Sequence, residues 1–221
     1  MARLVCLDLG RAGYERALEL QHRLVRDVLS SAEEQAFLVL VEHDPPVITL
    51  GRRSRREHLL ASPRELRAAG VQLFEAARGG DVTYHGPGQL VAYPILRLDL
   101  HGRDVRRHVR RLEEVVIRAA GRLGVRAGRE KGLTGVWASG EKLAAIGGAV
   151  RRWVTWHGLA VNVCPDLKHF DLIVPCGIRG RTATSLERIL GRAGSVEQVK
   201  PVLVESIVQE FGFQGADWQR E

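Results

Sequence analysis

The stretch EKLAAIGGAVRRWVTWHGLAVNV (141–163) reads as the heart of two paired strands, joined by a turn near Arg151-Arg152. The first of them begins further back, in GVWASGEKLAAIGGAV (135–150). Upstream, QLVAYPILRL (89–98) extends as a longer strand behind two glycine-rich turns. Asp104 is placed to cap a helix with Val105, Val109, Leu112, Val116, Ala120 and Leu123 on one face. Downstream, Ser195 and Gln198 have capping-box spacing for a last helix. Val199, Leu203, Ile207 and Phe211 form its apolar face, and Gly212 is placed to end it.

Toward the N-terminus, LVCLDLG (4–10) reads as a strand, and a helix follows over about 12–30. Tyr14, Ala17, Leu18, Gln21, Val25, Val28 and Leu29 set its spacing. AFLVLVEH (36–43) is a continuous apolar run suited to a central strand. Pro45-Pro46 breaks it, and VITLG (47–51) extends again. A short helix near 63–69 precedes VQLFEA, another strand. Strands and helices mix without regular alternation. The pattern predicts an α+β fold, a mixed sheet with flanking helices, and not a doubly wound one.

Composition bounds the rest. A chain of 221 residues, 45% hydrophobic, suits one domain over 1–221 with a sizeable core. No window of about 18 apolar residues appears, which argues against a membrane helix. The N-terminus turns polar too soon for a signal peptide, so a cytoplasmic location is expected. Three cysteines, Cys6, Cys164 and Cys176, do not make a disulfide framework. With no CxxC or HxxxH spacing, no metal site is expected. Positive residues outnumber negative by 33 to 26, a net charge of +7, which suits anionic partners. RRSRRE (52–57) and RRHVRR (106–111) are the dense runs, and an even spread over solvated helix faces explains the charge as well. Trp153 and Trp156 with this charge would suit a nucleic-acid-binding module, but no RRM, KH or helix-turn-helix signature accompanies them.

Four places offer chemistry. RGGDVTYHGPGQ (78–89) carries Gly79, Gly80, Gly86 and Gly88, which let backbone approach a ligand, beside Arg78, Thr83, Tyr84 and His85. It lacks the GK[ST] ending of a phosphate loop, and a pair of tight turns explains the glycines equally. Lys142 opens a strand of small residues that either packs on backbone or leaves room for a ligand. Cys176 sits between Pro175 and Gly177, in a loop setting where a nearby cation or helix N-terminus would favour its thiolate. By residue type alone it is equally an inert thiol. His157 is a core histidine or an acid–base group, and residue type does not choose between them. Which of these meet in space is not legible from the residues.

EHDPPVITLGRR, RGGDVTYHGPGQLVAYPILRL, EKLAAIGGAVRRWVTWHGLAVNV and PCGIRGRTATSL together resemble the octanoyltransferases of lipoate biosynthesis (LipB), in the same order and spacing from 42 to 186. The resemblance implies the α+β catalytic domain shared with biotin and lipoate protein ligases. It implies transfer of an octanoyl group from acyl carrier protein to a lysine of lipoyl domains, in 2-oxoacid dehydrogenases and the glycine cleavage H protein. It implies no cofactor, no nucleic acid or membrane partner, and a monomer. Cys176 falls at the family's thioester nucleophile, and Lys142 at the lysine that lowers its pKa. Arg78, Gly79, Gly80, Asp81, Val82, Thr83, Tyr84 and His85 match the loop lining the acyl pocket. Ala145, Ile146 and Gly147, with Gly158, Leu159 and Ala160, match the strand segments completing it. An ATP-dependent lipoate–protein ligase on the same fold is the other enzyme reading, and it would not require Cys176.

Overall fold

The computed structural model describes residues 3–32, 34–177 and 180–220, without the side chains of Cys176 and Arg220. Ten strands occur in chain order: β1 (Leu4–Ala12), β2 (Ala36–His43), β3 (Val47–Leu50), β4 (Gln72–Glu75), β5 (Val82–His85), β6 (Gln89–Ile95), β7 (Val136–Ala138), β8 (Glu141–Arg151), β9 (Val154–Asn162) and β10 (Ala216–Arg220). The five α-helices are α1 (Tyr14–Ser30), α2 (Pro63–Ala68), α3 (Val105–Arg122), α4 (Leu186–Leu190) and α5 (Val196–Phe211).

The main sheet has the order β10-β1-β2-β6-β9-β8-β7. β1 pairs in parallel with both β10 and β2, and the remaining pairs are antiparallel. It is therefore mixed, as the irregular alternation predicts. Its two faces are covered by different helices. Leu112 and Val116 of α3 and Leu203 and Ile207 of α5 pack with Leu38, Leu40, Leu90 and Leu143. Ala17, Leu24 and Val28 of α1 pack with Val39, Val41, Val91 and Ala160 on the opposite face. β1, β2, β6 and β9 thus send alternate residues to different helices.

The hairpin of 141–163 forms with Arg151 opposite Val154. Its two turn residues, Arg152 and Trp153, both have positive φ, 48° and 67°, the backbone twist a two-residue hairpin turn needs. The predicted strand over 135–150 divides in two. Ser139 and Gly140 adopt φ 51° and 79°, making a second tight turn between β7 and β8. Asp104 caps α3 as predicted, accepting from Arg106 N at 2.8 Å and Arg107 N at 3.1 Å. Ser195 Oγ accepts from Gln198 N at 3.3 Å, and Gly212 ends α5 in the left-handed region. One assignment is corrected: Val105 of α3 is 47% exposed and does not join the buried face. The first turn of α3 lies beyond the sheet's cover, so its apolar stripe meets a cavity there instead.

A smaller sheet, β4-β3-β5, is built from the segment after the Pro45-Pro46 break. Ile48, Val82 and Tyr84 form its own core with Leu66 of α2 and Ile173. It stays tied to the main sheet. Gly79 N donates to Gly148 O at 2.9 Å, and Gly88 O accepts from Val163 N and Cys164 N.

Candidate active site

Between the small sheet and the middle of β8 and β9 lies a cavity of about 770 Å³. The loop Arg78–Asp81 and the side chains of Thr83 and His85 form one wall. Ala145, Ile146, Gly147 and Gly148 of β8, with His157, Gly158, Leu159 and Ala160 of β9, form another. Tyr14, Val91 and Tyr93 line it further in, while Val105 and Val109 of α3 flank it. Gly177, from the turn that carries Cys176, borders the same space. Three sequence motifs, far apart in the chain, therefore meet at one concave surface.

Strand alternation sorts the residues of β5. Thr83 and His85 face the cavity, whereas Val82 and Tyr84 point into the core of the small sheet. Tyr84 Oη lies 2.8 Å from His169 Nδ1 and its ring meets Phe170 edge-on. Arg78 is buried, and its guanidinium donates to Thr49 O at 2.7 Å and to Thr49 Oγ1 at 2.8 Å. That bonding fixes a positive charge beside the cavity.

The histidines near this charge are held neutral. Burial first, then the charges of His43 and Arg78, push His85 down to about 3. Burial, with Arg78 and His22 adding to it, pushes His157 down to about 3 as well. Burial alone outweighs a bond to Ala12 O and pushes His43 down to about 4. His157 has φ 54°, uncommon for a residue with a side chain. Its ring stacks on Trp156, and its backbone N–H donates to Gln21 Oε1 at 2.8 Å.

Lys142 is buried on β8. Its ammonium lies 5.4 Å from the centre of the Trp137 ring. Its backbone is clamped by the segment after the cysteine turn: Lys142 N donates to Thr182 O at 2.9 Å and Thr184 N to Lys142 O at 3.0 Å. Asn162 Nδ2 donates to Thr184 O at 2.9 Å and reaches Lys142 O at 3.4 Å. Asn162 Oδ1 in turn accepts from Gln89 Nε2 at 2.8 Å, and Gln89 Oε1 lies 3.0 Å from His85 Nδ1. A buried polar chain thus links a cavity histidine to the backbone of Lys142. Cys176 lies in the 3-10 turn Pro175–Gly177, six positions before Thr182. Its thiol lies outside the described residues, so the backbone alone places it.

The sequence reading did not single out Gln89, Asn162 or His58. Each is an ordinary polar residue in an apolar or charged run, and only partners distant in the chain reveal it. Of the other two thiols, Cys6 is buried in β1 and its pKa is pushed up to about 12, mainly by burial. Burial also raises that of Cys164. Among the described residues, no three His, Cys, Asp or Glu side chains cluster as a metal would require. No described helix is long and apolar enough to cross a membrane.

Comparison with known proteins points one way. The lipoyl protein ligase A/B catalytic domain family matches residues 13–208. An octanoyltransferase of Chloroflexus aggregans is 50% identical over 214 residues, 96% of each chain. One of Syntrophotalea carbinolica is 50% identical over 197 residues, 89% of each chain. Among solved structures, a bipartite lipoate protein ligase from Thermoplasma acidophilum superposes with a TM-score of 0.76 at 16% identity, covering 100% of this chain and 87% of that one. Biotin protein ligase from Aquifex aeolicus gives 0.53 at 13% identity, covering 96% and 70%.

Proposed function

The chain belongs to the octanoyltransferase family of lipoyl protein ligase A/B catalytic domains and is an acyltransferase of protein lipoylation, and from that premise we propose that it works through a Cys176 thioester with Lys142 as its electrostatic partner. The donor is octanoyl-acyl carrier protein, and the acceptor is a lysine of a lipoyl domain. The supporting observation is the shared cavity: the glycine loop, the small residues of β8 and β9, and the cysteine turn border one space.

Two transfers follow. The Cys176 thiolate attacks the octanoyl carbonyl, the carbon–sulfur bond to the carrier breaks, and the carrier leaves as a thiolate. Exchange between thioesters needs no energy source, because attacking and leaving sulfur are of similar basicity. The amine of the acceptor lysine then attacks the Cys176 thioester. An amide forms, and Cys176 leaves as thiolate. An ordinary thiol with pKa of about 8.5 is only a few per cent ionised at neutral pH, so a lysine ammonium within about 4–6 Å favours the attacking form. That ammonium protonates the departing carrier thiolate, and the neutral Lys142 so formed takes the amine proton in the second transfer, which restores the ammonium. In this reading a backbone N–H beside Cys176 or Gly147 receives the oxyanion. The alternating small side chains of β8 and β9 leave the acyl chain room beside the neutral histidines.

The carrier is acidic in this reading. Arg53 and Arg55 line the cavity mouth and are exposed, on a chain of net charge +7. The 221 residues act as one catalytic domain and as a monomer. Close identity to octanoyltransferases, against 16% to a lipoate ligase, favours transfer over an ATP-dependent ligation. Intact-mass analysis after mixing with octanoyl-acyl carrier protein tests the reading. An octanoyl adduct on wild type, absent from Cys176→Ala, is expected without ATP. An adduct that persists in Cys176→Ala refutes the nucleophile.

A further inference from the structure

His58 and Asp81 form a pair at the cavity wall that the two transfers above leave without a role. His58 ends the short 3-10 turn Arg56–His58 and is only 7% exposed. Its Nδ1 lies 2.6 Å from Asp81 Oδ2. Asp81 Oδ1 accepts from Val82 N at 2.7 Å, so the carboxylate itself is oriented by β5. The other ring nitrogen, Nε2, faces Glu57 Oε1 at 3.7 Å.

The backbone of His58 and the pair itself meet the cysteine turn on its two sides. Ahead of Cys176, Val174 N donates to His58 O at 2.8 Å, and Leu59 bridges Ile173. Behind it, Gly177 sits on the pair itself. A Cβ there would lie 2.5 Å from Asp81 Oδ2 and 2.8 Å from His58 Cε1. Gly177 also has φ 70°, and its N–H closes the turn onto Val174 O at 2.9 Å. Cys176 thus lies between the His58 carbonyl on one side and the Asp81–His58 pair on the other. A carboxylate and an imidazole, each largely removed from water, are a costly way to prop a turn, and an apolar pair of similar volume would stabilise it as well. What the polar pair adds is direction: a hydrogen bond of fixed length and angle.

We infer that His58, held by Asp81, is a positioning residue for the acyl transfer: the pair sets where the Cys176 turn stands against the cavity, and with it the register between that thiol and Lys142. The inference rests on the reading of Cys176 as nucleophile. It assigns the effect to the bond at Nδ1. His58→Asn, whose amide nitrogen takes the place of Nδ1, keeps that bond, and His58→Gln, whose amide reaches toward Nε2, loses it.

The experiment compares wild type, His58→Asn, His58→Gln and Asp81→Asn. It measures steady-state octanoyl transfer from acyl carrier protein to a lipoyl domain, and the pH dependence of Cys176 alkylation by iodoacetamide, mapped by peptide mass. His58→Gln and Asp81→Asn are expected to lower kcat roughly 10- to 100-fold, with KM for the donor within about threefold, because a displaced nucleophile costs rate and not binding. Both also move the alkylation midpoint of Cys176, which a prop remote from the thiol would not do. His58→Asn retains most of the wild-type rate. A wild-type kcat and an unmoved alkylation profile in His58→Gln overturn the inference, and so does a His58→Asn as impaired as His58→Gln. Should His58→Gln not fold by circular dichroism, Asp81→Asn is read by the same two measurements. Absence of transfer in wild type would instead remove the function on which the inference rests.

Discussion

Gly158 faces β6 so closely that a Cβ there would lie 2.4 Å from Ala92 O and 2.5 Å from Pro94 Cδ. Its small size serves strand contact as well as the cavity it lines. Gly158→Ala is expected to cost about 1–3 kcal/mol in urea unfolding, the range of an overpacked core. The buried histidines make a second prediction. His43, His85, His108 and His157 have folded pKa values of about 3 to 4, below their ordinary 6.5, in each case mainly because of burial. As pH falls, the unfolded chain takes up these protons first. Stability is therefore full above pH 6.5 and is lost as pH falls toward the folded values, at up to about 1.4 kcal/mol per histidine per pH unit. Melting temperature measured from pH 7.5 to 5 checks the slope, and His108→Phe, at a ring that packs on Phe211 and does not line the cavity, reduces it. At this scale the sequence offered candidates without choosing. His157 reads as core or chemistry from residue type, and its neutral, stacked, positive-φ state comes from partners brought by α1, β6 and the loop at Arg78.

Elements are joined by a few buried charges. Lys200 of α5 is 3% exposed, and its ammonium lies 2.8 Å from Asp8 of β1 and 2.5 Å from Glu197. Lys200 is thus a charged residue on a helix whose predicted apolar face packs as expected. Asp8→Ala leaves that buried ammonium with only the exposed Glu197, and an equilibrium unfolding loss of about 3–5 kcal/mol is expected. Lys200→Met, which removes the charge and keeps the length, loses much less. Helix and strand positions were mostly legible, because the 3.6 and 2.0 periods of buried faces are written in the residues themselves. The division of 135–150 into β7 and β8 was not. Ser139-Gly140 is a weak turn signal inside an otherwise extended run, and the pairing of Ala138 with Glu141 decides it.

For the molecule as a whole, the proposed acidic carrier is expected to dock in a salt-sensitive way, given a net charge of +7 and the exposed Arg53 and Arg55 at the cavity mouth. Arg53→Glu with Arg55→Glu is expected to raise KM for octanoyl-acyl carrier protein about tenfold or more, and to leave turnover of a small octanoyl thioester near wild type. Equal loss with both donors would place these arginines in folding or chemistry and not in docking. The fold class and the helices α1, α3 and α5 were determined by the sequence alone, because periodicity and caps are local, whereas the cavity lining was legible only through the family resemblance. The family was also legible there, from four motifs in order. Their meeting was not. Residues 182–184 clamp the backbone of Lys142, Asp81 and His58 come against Gly177, and the His58 carbonyl holds Val174 ahead of the cysteine turn. These contacts depend on which segments lie side by side, and side-by-side placement follows from burying two faces of one mixed sheet at once, which no single stretch of residues encodes.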